Sequence, residues 1–152
     1  MKLASALSER SDIQRRLSQL TERLKNNAKV QEGEAPSEDP QILLKELNEC
    51  LARLEDLMYR INLTNSSVSY EGETLTQLLA RRDRLKLETS IMRTFLDQAS
   101  SKVDRYSRAE IRIQSTVDVA SLQKQVDSLS KELRQTDELI QQLNWTTELI
   151  EP

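Results

Sequence analysis

Four carboxylates crowd one short stretch, Glu32, Glu34, Glu38 and Asp39, and oxygen ligands at close spacing are what a divalent cation takes. The spacing lacks the acidic ladder and twelfth-position glutamate of a calcium-binding loop, so the stretch reads as an acidic connection. A second concentration is basic. Arg81, Arg82, Arg84, Lys86 and Arg93 run on into Lys102, Arg105, Arg108 and Arg112, so residues 78–114 hold nine basic against five acidic side chains. Such a run could neutralise phosphates of a nucleic acid. Asp83, Glu88 and Asp97 interrupt it, however, and only Tyr106 offers a nearby ring for a base. A solvated helix face, with an interface to acidic residues 32–39, fits better than nucleic acid.

Other chemistry is excluded by residue type. The chain has no histidine, which removes Ser-His-Asp and Cys-His nucleophiles and the Glu-x-x-His pairs of di-iron bundles. One cysteine makes neither an intrachain disulfide nor a cysteine zinc site. Cys50 lies among Leu47, Leu51 and Leu54 and reads as a small buried hydrophobe. Gly33 and Gly72 stand alone, so no phosphate-cradling loop is expected. No catalytic residue, metal ligand set or cofactor follows from these patterns, and no small-molecule substrate is evident.

The elements that carry these residues are helical. Charged residues make up 31% and aromatics 3%, with two glycines, a balance that favours leucine-rich helices over sheets. Apolar residues recur in alternating steps of three and four. The first helix spans about 2–27 with a seam of Leu3, Ala6, Ile13, Leu17, Leu20 and Leu24. The second spans about 40–64, opened by Asp39 as N-cap and Pro40 at the first helical position. Its seam is Leu43, Leu47, Cys50, Leu54, Leu57 and Ile61, and Leu44, Leu51 and Met58 widen it. The third spans about 74–101, with Leu75, Leu78, Leu85, Met92, Leu96 and Ala99 on one face, Arg82 and Thr89 as polar interruptions, and Leu79, Leu87, Ile91 and Phe95 off that line. The fourth spans about 118–144, capped by Asp118, with the most regular heptad of the chain, in which only Thr136 is polar. Polar connections fill 28–39, 65–73 and 102–117. The expectation is a single, mainly all-α domain over 1–152: four antiparallel long helices, as a bundle or as coiled-coil hairpins completed by another chain. The spare apolar surface on the second and third helices implies a homo-oligomer.

One stretch breaks the pattern. "RYSRAEIRIQSTVDV", residues 105–119, alternates Ile111 and Ile113 with polar residues, as a short strand does. An up-down bundle brings it to the end where the first connection lies. A β-ribbon of about 28–32 with 110–115 is therefore expected, with Val30 as its apolar contact and opposite charges across it. Trp145, just past the last helix, reads mainly as a lid over Leu3, Leu7 or Tyr70, and otherwise as an anchor for a partner. The candidate interaction surface is Arg105, Tyr106, Arg108, Arg112, Ile111, Ile113, Val30 and Trp145.

The segments "NAKVQEGEAPSEDP", "INLTN", "LLARRD", "RYSRAEIRIQSTVDVASLQKQ" and "LNWTTELI" resemble those of a family of small bacterial proteins whose members are often called septicolysin or septicolysin-like. The resemblance runs over nearly the whole chain. It implies a helical, oligomeric, soluble protein and supplies no catalytic residue. No stretch approaches the ~18 apolar residues of a membrane span, and the start carries no signal-peptide pattern. The expected function is that of a non-enzymatic cytoplasmic scaffold or adaptor. A membrane-active cytolysin-like protein and a nucleic-acid binder are the alternatives.

Overall fold

The computed structural model describes residues 1–101 and 112–152. It is mainly helical, with α1 at Leu3–Asn26, α2 at Pro40–Ser67, α3 at Leu75–Ser100 and α4 at Val119–Thr146. Two short strands, β1 at Ser69–Tyr70 and β2 at Glu73–Thr74, join α2 to α3. The chain divides into two compact units, Met1–Leu75 with Gln142–Pro152, and Thr76–Gln141.

The first unit is built on an antiparallel helical hairpin. Glu9 of α1 meets Arg53 of α2, Arg16 meets Glu46 at 3.1 Å, and Arg23 meets Glu38 at 2.5 Å just before α2. Between these pairs Leu20, Leu43 and Cys50 form a buried cluster, with Ile13, Leu17, Leu24 and Leu47 packed against it. Cys50 is a free, buried thiol and fills the small-hydrophobe role its neighbours implied. Toward the other end of the hairpin Leu3, Ala6, Leu57 and Ile61 are fully enclosed.

Local chemistry sets the helix ends. Asp39 is the N-cap of α2, its Oδ1 accepting from the Gln41 amide at 2.9 Å, with Pro40 following where a missing N–H costs nothing. At the end of α1, Asn27 donates from Nδ2 to the Arg23 carbonyl, and its Oδ1 accepts from the Glu38 amide. That side chain folds the first connection back on the hairpin's own end. Residues 28–32 form no strand; Glu34 instead donates to the Gln31 carbonyl across a turn that uses Gly33 at φ +89°.

The expected ribbon is therefore misplaced. The ribbon that exists is β1 against β2, with Ser69 opposite Thr74 and Tyr70 opposite Glu73. Its turn is Glu71-Gly72, both at positive φ (49° and 85°), the arrangement that matches the twist of a two-residue hairpin. Residues 112–115 carry no strand either, while 110 and 111 lie outside the described residues. The polar half of that stretch makes a turn: the Ser115 hydroxyl donates to the Val117 carbonyl, and the Val117 amide lies 3.4 Å from the same oxygen. Asp118 then caps α4 through the Ser121 amide.

The C-terminal tail completes the first unit. Leu3 donates its amide to Thr147, and Leu149 donates to Met1 at 2.7 Å, so the two chain ends run antiparallel around a Lys2–Glu148 bridge. Thr64 of α2 is buried because its hydroxyl accepts from the Ile150 amide while donating to the Arg60 carbonyl. Leu149 is 4% exposed and Trp145 is 65% exposed. Leucine, not tryptophan, closes this end.

The second unit is also antiparallel. Arg82 of α3 reaches Asp137 of α4 at 3.6 Å, and Arg93 donates to the Ser130 hydroxyl at 3.0 Å. Leu96, Leu122 and Val126 form its cluster, with Met92, Ala99, Val117 and Val119 around them. Polar residues interrupt this seam as the sequence implied. Thr136 satisfies itself on the Glu132 carbonyl, whereas the buried Thr89 hydroxyl has no partner.

Truncating Leu57, fully enclosed in α2, leaves a void as well as losing its transfer energy; Leu57→Ala is expected to cost about 2–5 kcal/mol. Asp39→Ala removes only a cap and is expected to cost ~1 kcal/mol. Denaturant midpoints of the two variants, compared at equal slope, check the ranking.

Candidate interaction surfaces

Of the residues expected to form one surface, the structure describes Arg112, Ile113, Val30 and Trp145. Arg105, Tyr106, Arg108 and Ile111 lie outside the described residues. Arg112 and Ile113 are exposed in extended chain before the Ser115 turn. Val30 is exposed in the first connection, beside a polar hollow with Asn27 and Pro36. Trp145 projects from the last turn of α4.

In the acidic connection Glu38 pairs with Arg23 and Asp39 caps α2, so these two carboxylates serve the hairpin end. Among the described residues no group of three or more Cys, Asp or Glu side chains is arranged to hold a metal ion. In the basic run Arg82 pairs with Asp137 and Arg84 with Glu88 at 2.7 Å, while Arg93 donates to the Ser130 hydroxyl. The two ion-paired arginines present less free charge to phosphates than the run suggests.

What the helices leave open is apolar. On α2, Leu44, Leu51 and Met58 recur every seven residues and are each about half exposed. At ~100° per residue they sit roughly 95° round the helix from buried Leu43, Cys50, Leu57 and Ile61. On α3, Leu87, Ile91 and Phe95 are 64%, 58% and 44% exposed. The same helical arithmetic sets them roughly 125° away from Leu78, Leu85 and Leu96, nearly on the back of the helix. A shallow groove of about 380 Å³ opens beside them, lined by Arg84, Leu87, Glu88, Ile91 and Met92. Both stripes were visible in the sequence as surplus apolar positions.

A larger hollow of about 600 Å³ lies on the α1–α2 hairpin, with Glu9, Ile13, Arg16, Glu46, Cys50 and Arg53 in its lining. Across the two helices Glu9 pairs with Arg53 and Arg16 with Glu46, and along α1 Arg15 pairs with Asp12. The guanidinium of Arg53, hydrogen-bonded to Glu9, holds that carboxyl below the usual glutamate range, and Arg23 does the same for Glu38. Glu148 is lowered in turn by hydrogen bonds from Lys2 and the terminal amine. These three carboxylates fasten the first unit internally.

The family model of a family of unknown function (DUF6847) matches residues 10–149. The chain belongs to that family. It is also similar to a solved structure described as a functionally unknown conserved protein from Corynebacterium diphtheriae. The two are 46% identical, each covered over 99% of its length, with a TM-score of 0.89. No curated protein matches. Neither finding carries the septicolysin name to which the sequence segments pointed. Among the described residues no helix is long and apolar enough to cross a membrane.

The lowered carboxylates carry a pH signature. Their folded values lie below those of the unfolded chain, so the stability they supply is complete above the ordinary glutamate range. It is lost as pH falls through about 4.3 and below. The melting temperature is expected to be level near neutrality and to drop below that point. Glu9→Gln, which cannot ionise, should show a lower plateau and a shallower acid drop; an unchanged acid slope would remove Glu9 from the cause.

Proposed function

We propose that this protein acts as a self-associating helical module, a scaffold or adaptor that works through its surfaces and not through a catalysed reaction. One observation carries the reading: six large apolar side chains stand exposed at helical spacing on α2 and α3. Scattered single hydrophobes on a surface are ordinary, but a row at regular spacing is the pattern a partner helix covers. Both rows have charged residues of either sign nearby, including Glu55 on α2 and Arg84 and Glu88 on α3. That mixture suits a protein partner better than the strongly basic polar face with which an amphipathic helix binds anionic lipid.

A membrane-active role, as the septicolysin resemblance implies, would instead show as leakage of dye from anionic vesicles at micromolar protein. Self-association is tested by sedimentation equilibrium over a roughly hundredfold dilution, since assembly follows mass action. The expected result is a mass above the 17.5 kDa of one chain that falls on dilution. Leu51→Glu combined with Ile91→Glu is expected to hold the protein at the single-chain mass while leaving its helical circular dichroism intact. A single-chain mass for the unaltered protein at every concentration overturns the reading.

A further inference from the structure

Resting on that reading, we infer that α3 docks against α3 of a second copy, antiparallel, across a two-fold axis at Ile91. Three observations on α3 converge. The first is symmetry in the sequence. Leu87 and Phe95 stand four residues either side of Ile91, and Arg84 and Gln98 stand seven either side. An antiparallel pairing about Ile91 sets Ile91 on its copy, Leu87 on the copy's Phe95, and Arg84 on the copy's Gln98.

The second is the shape of the surface. When helices pack, a side chain from one seats in a hole made by four residues of the other, spaced i, i+3, i+4 and i+7. Arg84, Leu87, Glu88 and Ile91 have that spacing, and they line the groove of about 380 Å³. The centre of that hole falls between positions 87 and 88. In the antiparallel register about Ile91, the residue facing it is Phe95 of the second copy. The chain thus carries both the hole and the ring that fills it, about two turns apart on the same exposed face.

The third is charge. A parallel pairing would set Arg84 on Arg84 and Glu88 on Glu88, and like charges facing each other oppose association. The antiparallel register replaces these with Arg84 facing Gln98, a donor–acceptor combination, and Glu88 facing the uncharged Thr94. The area is modest. Leu87, Ile91 and Phe95, about half exposed, offer on the order of 300 Å² per copy, and with their polar rim two copies reach about 1,000 Å². That is the low end for a specific contact, so the pair exchanges on dilution.

The test uses the full chain with one added cysteine, bridged by a short bismaleimide, the unaltered protein with its buried Cys50 serving as control. Ile91→Cys alone is expected to give a covalent species of twice the chain mass. Leu87→Cys and Phe95→Cys should each give little alone and the same doubled species when mixed. Efficient self-bridging of all three would make the pairing parallel and overturn the proposal. If none bridges while sedimentation still shows assembly, the α3 contact is wrong and self-association stands on another face. If nothing bridges and sedimentation shows a single chain, both readings fall. Ile91→Glu, measured beside them, should abolish the doubled mass without loss of helical signal; a mass unchanged by Ile91→Glu also overturns the α3 contact.

Discussion

A helix packed against one antiparallel neighbour can bury a single stripe of its surface, and the rest of this structure depends on that limit. α1 and α4 place most of their leucines on one line and are nearly used up by it. α2 and α3 do not fit within it. Their seams are filled by Leu43, Cys50, Leu57 and Ile61 in one case and by Leu78, Leu85 and Leu96 in the other. Leu44, Leu51, Met58, Leu87, Ile91 and Phe95 then remain outside. Apolar residues in such rows stay in water only at a cost in free energy. The surplus is therefore the feature of the chain that most needs a partner to explain it.

The polar side chains have a different task, which is to fix register. Leucine seams are permissive, since sliding one helix past another by a heptad re-forms most of their contacts. Glu9–Arg53, Arg16–Glu46 and Arg23–Glu38 stand at three heights on the first hairpin, and a one-heptad slide that set Arg23 on Glu46 would also set Arg16 on Arg53. Each is exposed enough to add ~0–1 kcal/mol, so together they select the alignment more than they stabilise it. Arg82–Asp137 and Arg93–Ser130 do the same on the second hairpin. The tail works by directed hydrogen bonds, with Thr64 and Arg60 of α2 holding Ile150 by its amide and carbonyl. These groups are occupied by architecture, which is why clusters that looked capable of chemistry in the sequence offer little to a ligand.

The helices were legible because their signals are local. Asp39-Pro40 and Asp118 mark starts that the structure places within a residue, and the three-four spacing gives each buried face. The ribbon was not legible for a reason equally local. Glu71-Gly72 lacks the asparagine or aspartate that usually announces a two-residue turn, and only the positive φ at Glu71 discloses it. The alternation at Ile111 and Ile113 pointed to a strand, but alternation over so few residues is weak beside a serine that can turn the chain on its own hydroxyl. Trp145 misled through size: burial here went to Leu149, whose amide could also be satisfied by Met1. The proposed interaction surface was half legible. Surplus leucines on α2 and α3 were plain, but whether they were covered depends on packing that no spacing rule contains.

The two stripes share a property that bears on assembly. Leu44, Leu51 and Met58 are spaced symmetrically about Leu51, as Leu87, Ile91 and Phe95 are about Ile91. A symmetric row can meet its own copy across a two-fold axis, and such a contact saturates at two chains. One symmetric contact gives a dimer that stops growing. Two on the same chain go further: axes that meet at right angles give a closed tetramer, axes that meet at smaller closing angles give larger closed assemblies, and axes that do not meet give an open filament. The flanks of the two rows differ in a way that separates these roles. α3 carries Arg84 and Glu88 in line with its row, which penalises any partner in the wrong direction. α2 carries Asn48 and Glu55 beside its row, which oppose a wrong partner less. Direction is thus written more firmly on α3, and the first pairing to form should be the one its charges permit.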